Sequence, residues 1–429
     1  MGVFSLRQQV VYTLLLFVLL LMLVPKAGFS SDVDYWQRWG IYIYEHGLGN
    51  VYQLPDNNYN PLYHYVLWLY GALLGSVEKF KYYIHFLKAF TLVFDFAGAF
   101  WAASLVQERS RRFGLALLLL LNIAYLYDTL IWEQVDSIYT FFAFGAVVLA
   151  TRQHSVGSVL FFVLALAAKT QAIIFLPPLL LLWVPQWWQR PARLPLALGA
   201  GAGLATLILA PFIWWSWESY LPRIIELNQH AADVFPRLTM RAFNVWYLYT
   251  PPGLHLGSSD LLVMAGLSLR TWGMVLFYGF SALALGPLLV AAGRALRARA
   301  SASPAPDRAL VLLSCGIIPL LFCFFNTQMH ERYWHASLLF LAAYGFLRRD
   351  YLPYGLVSVA YLLNLEAVQQ HLQLQRYSVA LFDPLLIAGL FALAIVLILV
   401  KIYRLAPWRL AAAQPRPVAV ATSAAPAQG

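Results

Sequence analysis

The chain has 429 residues, 61% of them hydrophobic and only 11% charged, against roughly a quarter charged in a typical soluble protein. With a mean hydropathy of +0.66 and a net charge of +10, a soluble fold of this size cannot hide so much apolar side chain. A cytosolic enzyme, a disordered chain and a nucleic-acid module are excluded, and a polytopic membrane protein remains.

An apolar run over 10–27 follows Arg7. No small-x-small cleavage site comes after it, so it reads as a retained first helix. The segment 28–60 is the first outer loop. It opens Ser31-Asp32-Val33-Asp34-Tyr35-Trp36-Gln37-Arg38-Trp39. Apolar positions 33, 36, 39/40 and 43 recur at helical spacing and predict an amphipathic helix lying at the membrane surface. Ser31 or Asp32 is its expected cap. The loop ends at Tyr59-Asn60-Pro61-Leu62-Tyr63, where Pro61 marks a helix start.

Further apolar segments lie at 61–77, 84–106, 113–130, 136–151, 156–168, 171–185, 194–215, 271–293, 309–325, 333–347, 353–367 and 379–403. They predict an all-α bundle of about 12–14 transmembrane helices, because only helices satisfy the backbone in lipid for a chain this apolar. Lys88 and Asp95, two turns apart on one face, read as a buried pair. Cys315 and Cys323 lie too far apart on one helix to form a disulfide framework. A second long outer loop spans 216–270, residues 1–404 form one domain, and the Ala/Pro-rich stretch 405–429 reads as a disordered cytoplasmic tail.

Basic clusters at Arg109/Arg111/Arg112, Arg152, Arg190/Arg193, Arg294/Arg297/Arg299/Arg308, Arg348/Arg349 and Lys401/Arg404 set the orientation by the positive-inside rule. The loops 128–136, 168–171, 216–270, 326–333 and 367–378 then face outward. Both termini read as cytoplasmic, which requires an even number of crossings. The conflict with thirteen segments lies before residue 107, where Lys79 and Lys81 suit either side, or at an unrecognised span near 254–268.

Polar residues collect at the outward ends. Asp32 and Asp34 suit a helix dipole, and equally a general base at the membrane boundary or oxygen ligands for a divalent cation. Asp128, Glu133 and Asp136 fall within nine residues of otherwise apolar sequence, as hydrated caps or as a site. Lys169-Thr170-Gln171 interrupts an apolar run, as a snorkelling turn or as a cation presented to a phosphate. Gln328-Met329-His330-Glu331-Arg332-Tyr333 is the most polar stretch of the second half. It reads as a salt-bridged helix start or as a phosphate contact.

Asp-x-Asp-Tyr, Tyr-x-Pro-Leu-Tyr, Trp-x-Gln-Val-Asp-Ser, Lys-x-Gln, Arg-Ala-Phe-Asn-Val-Trp (241–246) and His-Glu-Arg-Tyr follow one another in this order. From about residue 30 to 335 the chain resembles the GT-C superfamily of integral-membrane glycosyltransferases. Within it, the chain is most similar to bacterial relatives of the mannosyltransferases that build glycosylphosphatidylinositol anchors, and more distantly to dolichol-linked glucosyltransferases. It departs at Glu133, where Gly is expected, at Asn60 and Thr170, where Pro is common, and at Trp334-His335, which replaces a Leu-Phe pair.

The resemblance implies a GT-C bundle and inverting transfer of a hexose, mannose favoured, from a polyprenyl-monophosphate donor to a lipid, glycan or protein hydroxyl. It implies Asp34 as base with Asp32 as helper or alternative. His330, Arg332 and Lys169 would hold the leaving phosphate. Gln134, Asp136, Gln171, Asn244, Glu331 and Tyr59 would orient the substrates. No cofactor is implied, although Asp32/Asp34 could take a divalent cation, and nucleic acid is not a partner. The expected location is a bacterial inner membrane with the site on the extracytoplasmic side. A transporter, a lipid-linked sugar flippase or a non-catalytic subunit of an envelope glycan assembly complex competes. A transport path needs polar groups mid-membrane, and here, Lys88 and Asp95 apart, they gather at one surface.

Overall fold

The structure, a computed structural model, describes residues 4–24, 30–229, 236–250, 257–298 and 306–408. The tail expected to be disordered lies outside these residues beyond position 408. The fold is almost wholly helical: α1 (Leu6–Leu23), α2 (Ser30–His46), α3 (Pro61–Leu74), α4 (Val77–Tyr83), α5 (Lys88–Ser104), α6 (Arg109–Leu120), α7 (Ile123–Leu130), α8 (Asp136–Thr151), α9 (Ser155–Ala168), α10 (Leu176–Gln189), α11 (Arg193–Trp214), α12 (Leu221–Gln229), α13 (Val245–Tyr249), α14 (Leu269–Arg297), α15 (Arg308–Phe325), α16 (His335–Arg348), α17 (Leu352–Gln369) and α18 (Pro384–Arg404). Prolines sit in the first turn of α3, α10, α17 and α18, where no hydrogen bond is lost. Side chains of Ser76, Asn122, Ser268, Asp307 and Asp383 cap α4, α7, α14, α15 and α18. A two-residue hairpin pairs Val263 with Ser268, its turn residues Ala265 and Gly266 both at positive φ, which fits the twist of a tight hairpin.

Among the described residues, seven helical runs are long and apolar enough to cross a membrane: α1, Val77–Ser104, Thr170–Gln189, α11, α14, α15 and α18. The bent pair α6–α7, with 57° between its halves, makes an eighth if counted as one span. This is fewer than the 12–14 expected. The shortfall comes from helices such as α3, α8, α9 and α16, which have 14 to 16 residues. At 1.5 Å per residue they reach about 21–24 Å, short of a hydrocarbon core of about 30 Å. α15 lies at the buried centre and α1 at the rim, with no buried residue along its length. Its exposed Leu, Val and Met side chains suit lipid rather than water.

The loops and helix ends gather at two ends of the bundle. One end carries 108, 307, 348–350 and 401, joined by the ion pairs Arg349–Glu108, Arg348–Asp307 and Lys401–Asp350. The other carries 32, 59, 133–136, 169 and 330–333. The expected Lys88–Asp95 pair does not form. Seven residues separate them by roughly 10 Å along a helix, too far to touch. Lys88 instead binds Glu133 Oε1 at 2.7 Å, and Asp95 accepts from Ser137 Oγ at 2.5 Å. Both cysteines are free and buried.

Candidate functional site

The amphipathic helix forms as α2, and its buried stripe is Val33, Trp36, Trp39, Gly40 and Ile43. Trp36 packs edge-on to Tyr63, and Trp39 packs against Tyr59 at 5.3 Å. Asp32 extends the row 32, 36, 39, 43 along this same stripe, so packing α2 down turns its carboxylate inward. Asp32 is a first-turn residue rather than a cap, and Gln134 Nε2 donates to its Oδ2 at 2.5 Å. Asp34 stands about 200° further round the helix and is exposed. The two carboxylates therefore do not converge. Among the described residues no group of three or more His, Cys, Asp or Glu is arranged to hold a metal ion.

Asp136 begins α8 and is fully buried. Lys169 Nζ donates to its Oδ1 at 2.5 Å. Arg332 Nε stands 3.8 Å from its Oδ2, near enough for charge attraction but too far for a hydrogen bond. Arg332 Nη1 reaches Glu331 Oε1 at 3.4 Å, and Glu331 Oε2 lies 3.9 Å from His330 Nδ1. The Tyr333 ring lies under Lys169 at 4.7 Å and under Arg332 at 5.6 Å. Five separate segments thus meet: the start of α2, Tyr59, residues 134–136, Lys169 and residues 330–333.

Burial shapes the protonation of this end. It pushes the Tyr59 phenol up, and Asp32 adds to that. It lowers His330, helped by Arg332 and Lys169, so this imidazole is neutral near pH 7. It raises the Glu331 carboxyl against the pull of Arg332. It also lowers Lys169, with Asp136 opposing. Burial alone would lower Arg332 as well. Asp32, Tyr333, Glu331 and Asp136 more than reverse that and keep it charged.

Two expected residues stand differently. Asn244 is fully buried and engaged with backbone. It donates to the carbonyls of Cys323 and Asn326 and accepts from Trp246 N–H, so it pins α13 to the end of α15. It presents no free polar atom to the cluster. Gln171, two residues past Lys169, keeps both side-chain polar atoms buried without a partner.

Glu133, Asn60, Thr170 and His335, which depart from the pattern the sequence resembles, each have local partners. Glu133 adopts φ +61°, the left-handed region where glycine costs nothing. Its carboxylate is held by Lys88 and by His85 Nδ1 at 2.9 Å. Asn60 and Thr170 meet each other: Asn60 Nδ2 donates to Thr170 Oγ1 at 3.1 Å, and both bond Asn228 of α12. His335 stacks on Tyr125 and lies 3.1 Å from Ser137 Oγ.

Asp128, which the sequence offers with Glu133 and Asp136 as a hydrated cap or a site and to which the resemblance assigns no role, also lies at this end. It is fully buried, and its backbone carbonyl accepts from the Gln134 N–H at 2.8 Å, which ties it to the segment 134–136. The signal was an acid placed in the apolar run Ile123–Trp132.

Neither a scan against protein-family models nor a search of curated proteins finds a match to this chain.

Proposed function

We propose that the chain is an inverting membrane glycosyltransferase that moves a hexose, mannose favoured, from a polyprenyl monophosphate to an acceptor hydroxyl. The observation that carries this reading is the convergence of Asp32 with Lys169, Arg332 and His330 at the mouth of an apolar bundle. A carboxylate and a set of cations around one point are what such a reaction needs. Asp32 takes the proton of the acceptor hydroxyl. The acceptor oxygen bonds to the anomeric carbon as the bond from that carbon to the phosphate oxygen breaks. The electron pair leaves on the phosphate, beside Lys169 and Arg332. The Gln134 bond fixes the Asp32 carboxylate, and the neutral His330 serves as a hydrogen-bonding group rather than a third charge. Asp136 holds the two cations in place between turnovers. In this reading no divalent cation takes part. The site faces the extracytoplasmic side of a bacterial inner membrane, with the basic end in the cytoplasm.

The test is sugar transfer in proteoliposomes supplied with polyprenyl-phosphate-mannose, -glucose or -arabinose in turn, with and without EDTA. Transfer from one donor, unchanged by EDTA, is expected. A folded protein that transfers from none of them, or one that loses activity with EDTA, would contradict the corresponding part of the reading. The first result would move a transporter to first place.

A further inference from the structure

Buried carboxylates in this protein are provided for, with one exception. Glu133 has Lys88 and His85, and Asp260 has Arg270, Thr327 and Gln328. Glu366 accepts from Tyr127, Tyr377 and the Leu372 N–H. Asp136 and Asp95 each have one oxygen bonded. Among the described residues Asp128 alone has both carboxylate oxygens buried and without a hydrogen bond. A buried acceptor left unmade costs its full desolvation, so such a pair of oxygens calls for a donor.

The surroundings say what kind of donor. Asp136 Oδ2, Gln134 Oε1 and Gln171 Oε1 are also free acceptors at this end, against the free donors Gln171 Nε2 and Arg332 Nε. With the two Asp128 oxygens there are five free acceptors against two free donors, and His335 Nδ1, unpartnered beside Asp136, serves either way. The Tyr139 hydroxyl, within reach of the charges of Asp136 and Asp128, is free and serves either way. A phosphodiester offers acceptors only, so it does not supply the missing donors. A group that presents several O–H donors does. The position is also fixed rather than loose. Thr129, next to Asp128, holds Ser137, next to Asp136, at 3.0 Å, so the two carboxylates are tied to one hydrogen-bonded knot between α7 and α8.

We propose that Asp128 reads the sugar of the donor, its two oxygens accepting from two adjacent ring hydroxyls. This rests on the glycosyltransferase reading and assigns a specificity-determining residue to it. A site built to bond a substrate hydroxyl rejects the analogue that lacks it far more strongly than an apolar pocket can.

The experiment measures binding of two lipids to the purified full chain in detergent: farnesyl phosphate, and farnesyl phosphate carrying the hexose that supports transfer. Wild type is expected to bind the glycosylated lipid more tightly. Asp128→Asn should keep its affinity for farnesyl phosphate and lose about tenfold to a hundredfold for the glycosylated lipid, because one of the two acceptor oxygens becomes an N–H donor. A variant that keeps the wild-type preference for the sugar would overturn the proposal and leave those oxygens to water. Wild type that binds neither lipid would overturn the donor reading itself, and this proposal with it. Wild type also gives an answer without any substitution. Donor analogues lacking one ring hydroxyl at a time should lose tenfold or more at two adjacent positions. A small and even loss around the ring would contradict the proposal.

Discussion

The two ends of the bundle both carry ion pairs, and they are built differently. At the basic end Arg349 and Glu108 are 70% and 52% exposed, Arg348–Asp307 is also open to solvent, and although Lys401 is half-buried its partner Asp350 is 29% exposed, so no pair there has a fully buried carboxylate. At the other end Lys169 is 21% exposed, Arg332 12%, and Asp136 not at all. Water screens the first kind of pair and leaves each worth about 0–1 kcal/mol. The second kind keeps its charges in a poorly solvated place, where removing one partner costs several kcal/mol. The contrast separates two uses of Lys and Arg. On the proposed reading, their number follows membrane topology, whereas their burial beside carboxylates follows chemistry.

The largest effect that would sharpen this contrast is on turnover. Asp32→Asn should lower it by about a hundredfold to ten-thousandfold, the usual worth of a positioned base, with folded yield unchanged. Asp34→Asn, on the exposed face, should transfer sugar close to the wild-type rate. If Asp34→Asn were the silent variant, the site would have to be rebuilt around the other face of α2.

The next effect is on stability. Glu133→Ala leaves the fully buried Lys88 without its counter-charge and should cost about 3–5 kcal/mol. Arg349→Ala should stay within about 0.5 kcal/mol. Denaturant or thermal unfolding in detergent measures both. Similar losses for the two variants would erase the distinction between the ends.

A smaller effect is on pH dependence. Burial, then Arg332 and Lys169, hold the folded-state value of His330 well below the ordinary histidine range. The unfolded chain takes up this proton near pH 6.5 and the folded chain does not. Stability from this group is therefore complete above about pH 7. It falls as the medium becomes acid, by at most about 1.4 kcal/mol per pH unit. His330→Gln should remove that part of the slope. Equal slopes for wild type and variant between about pH 5.5 and 7.5 would exclude the buried neutral imidazole.

Much of this was legible beforehand. Composition alone implies an all-helical membrane chain, the stripe 33, 36, 39/40, 43 predicts α2, and Pro61 marks the start of α3. The polar stretches around 136, 169 and 332 stand out against apolar sequence, and the structure brings them together. Legibility ended where a side chain's direction or partner decides. The α2 stripe already contained Asp32, through the spacing 32, 36, 39, 43, but the family motif drew attention to Asp34. Lys88 shares a helix face with Asp95, yet its partner comes from a loop 45 residues away. Asn244 lies in a motif and is consumed by backbone carbonyls. Helix lengths, which set the span count, depend on where breaks such as that between α6 and α7 fall, and hydropathy does not show them.

The most direct test of the central claim asks which end holds the phosphate. A photoreactive polyprenyl monophosphate, activated in proteoliposomes and mapped by mass spectrometry of the labelled peptides, reads this in one experiment. The account predicts labels on the segments around Lys169 and 330–333, with little on the more basic end. Labels gathered around Arg348, Arg349 and Lys401, with none near Lys169 or Arg332, would contradict it.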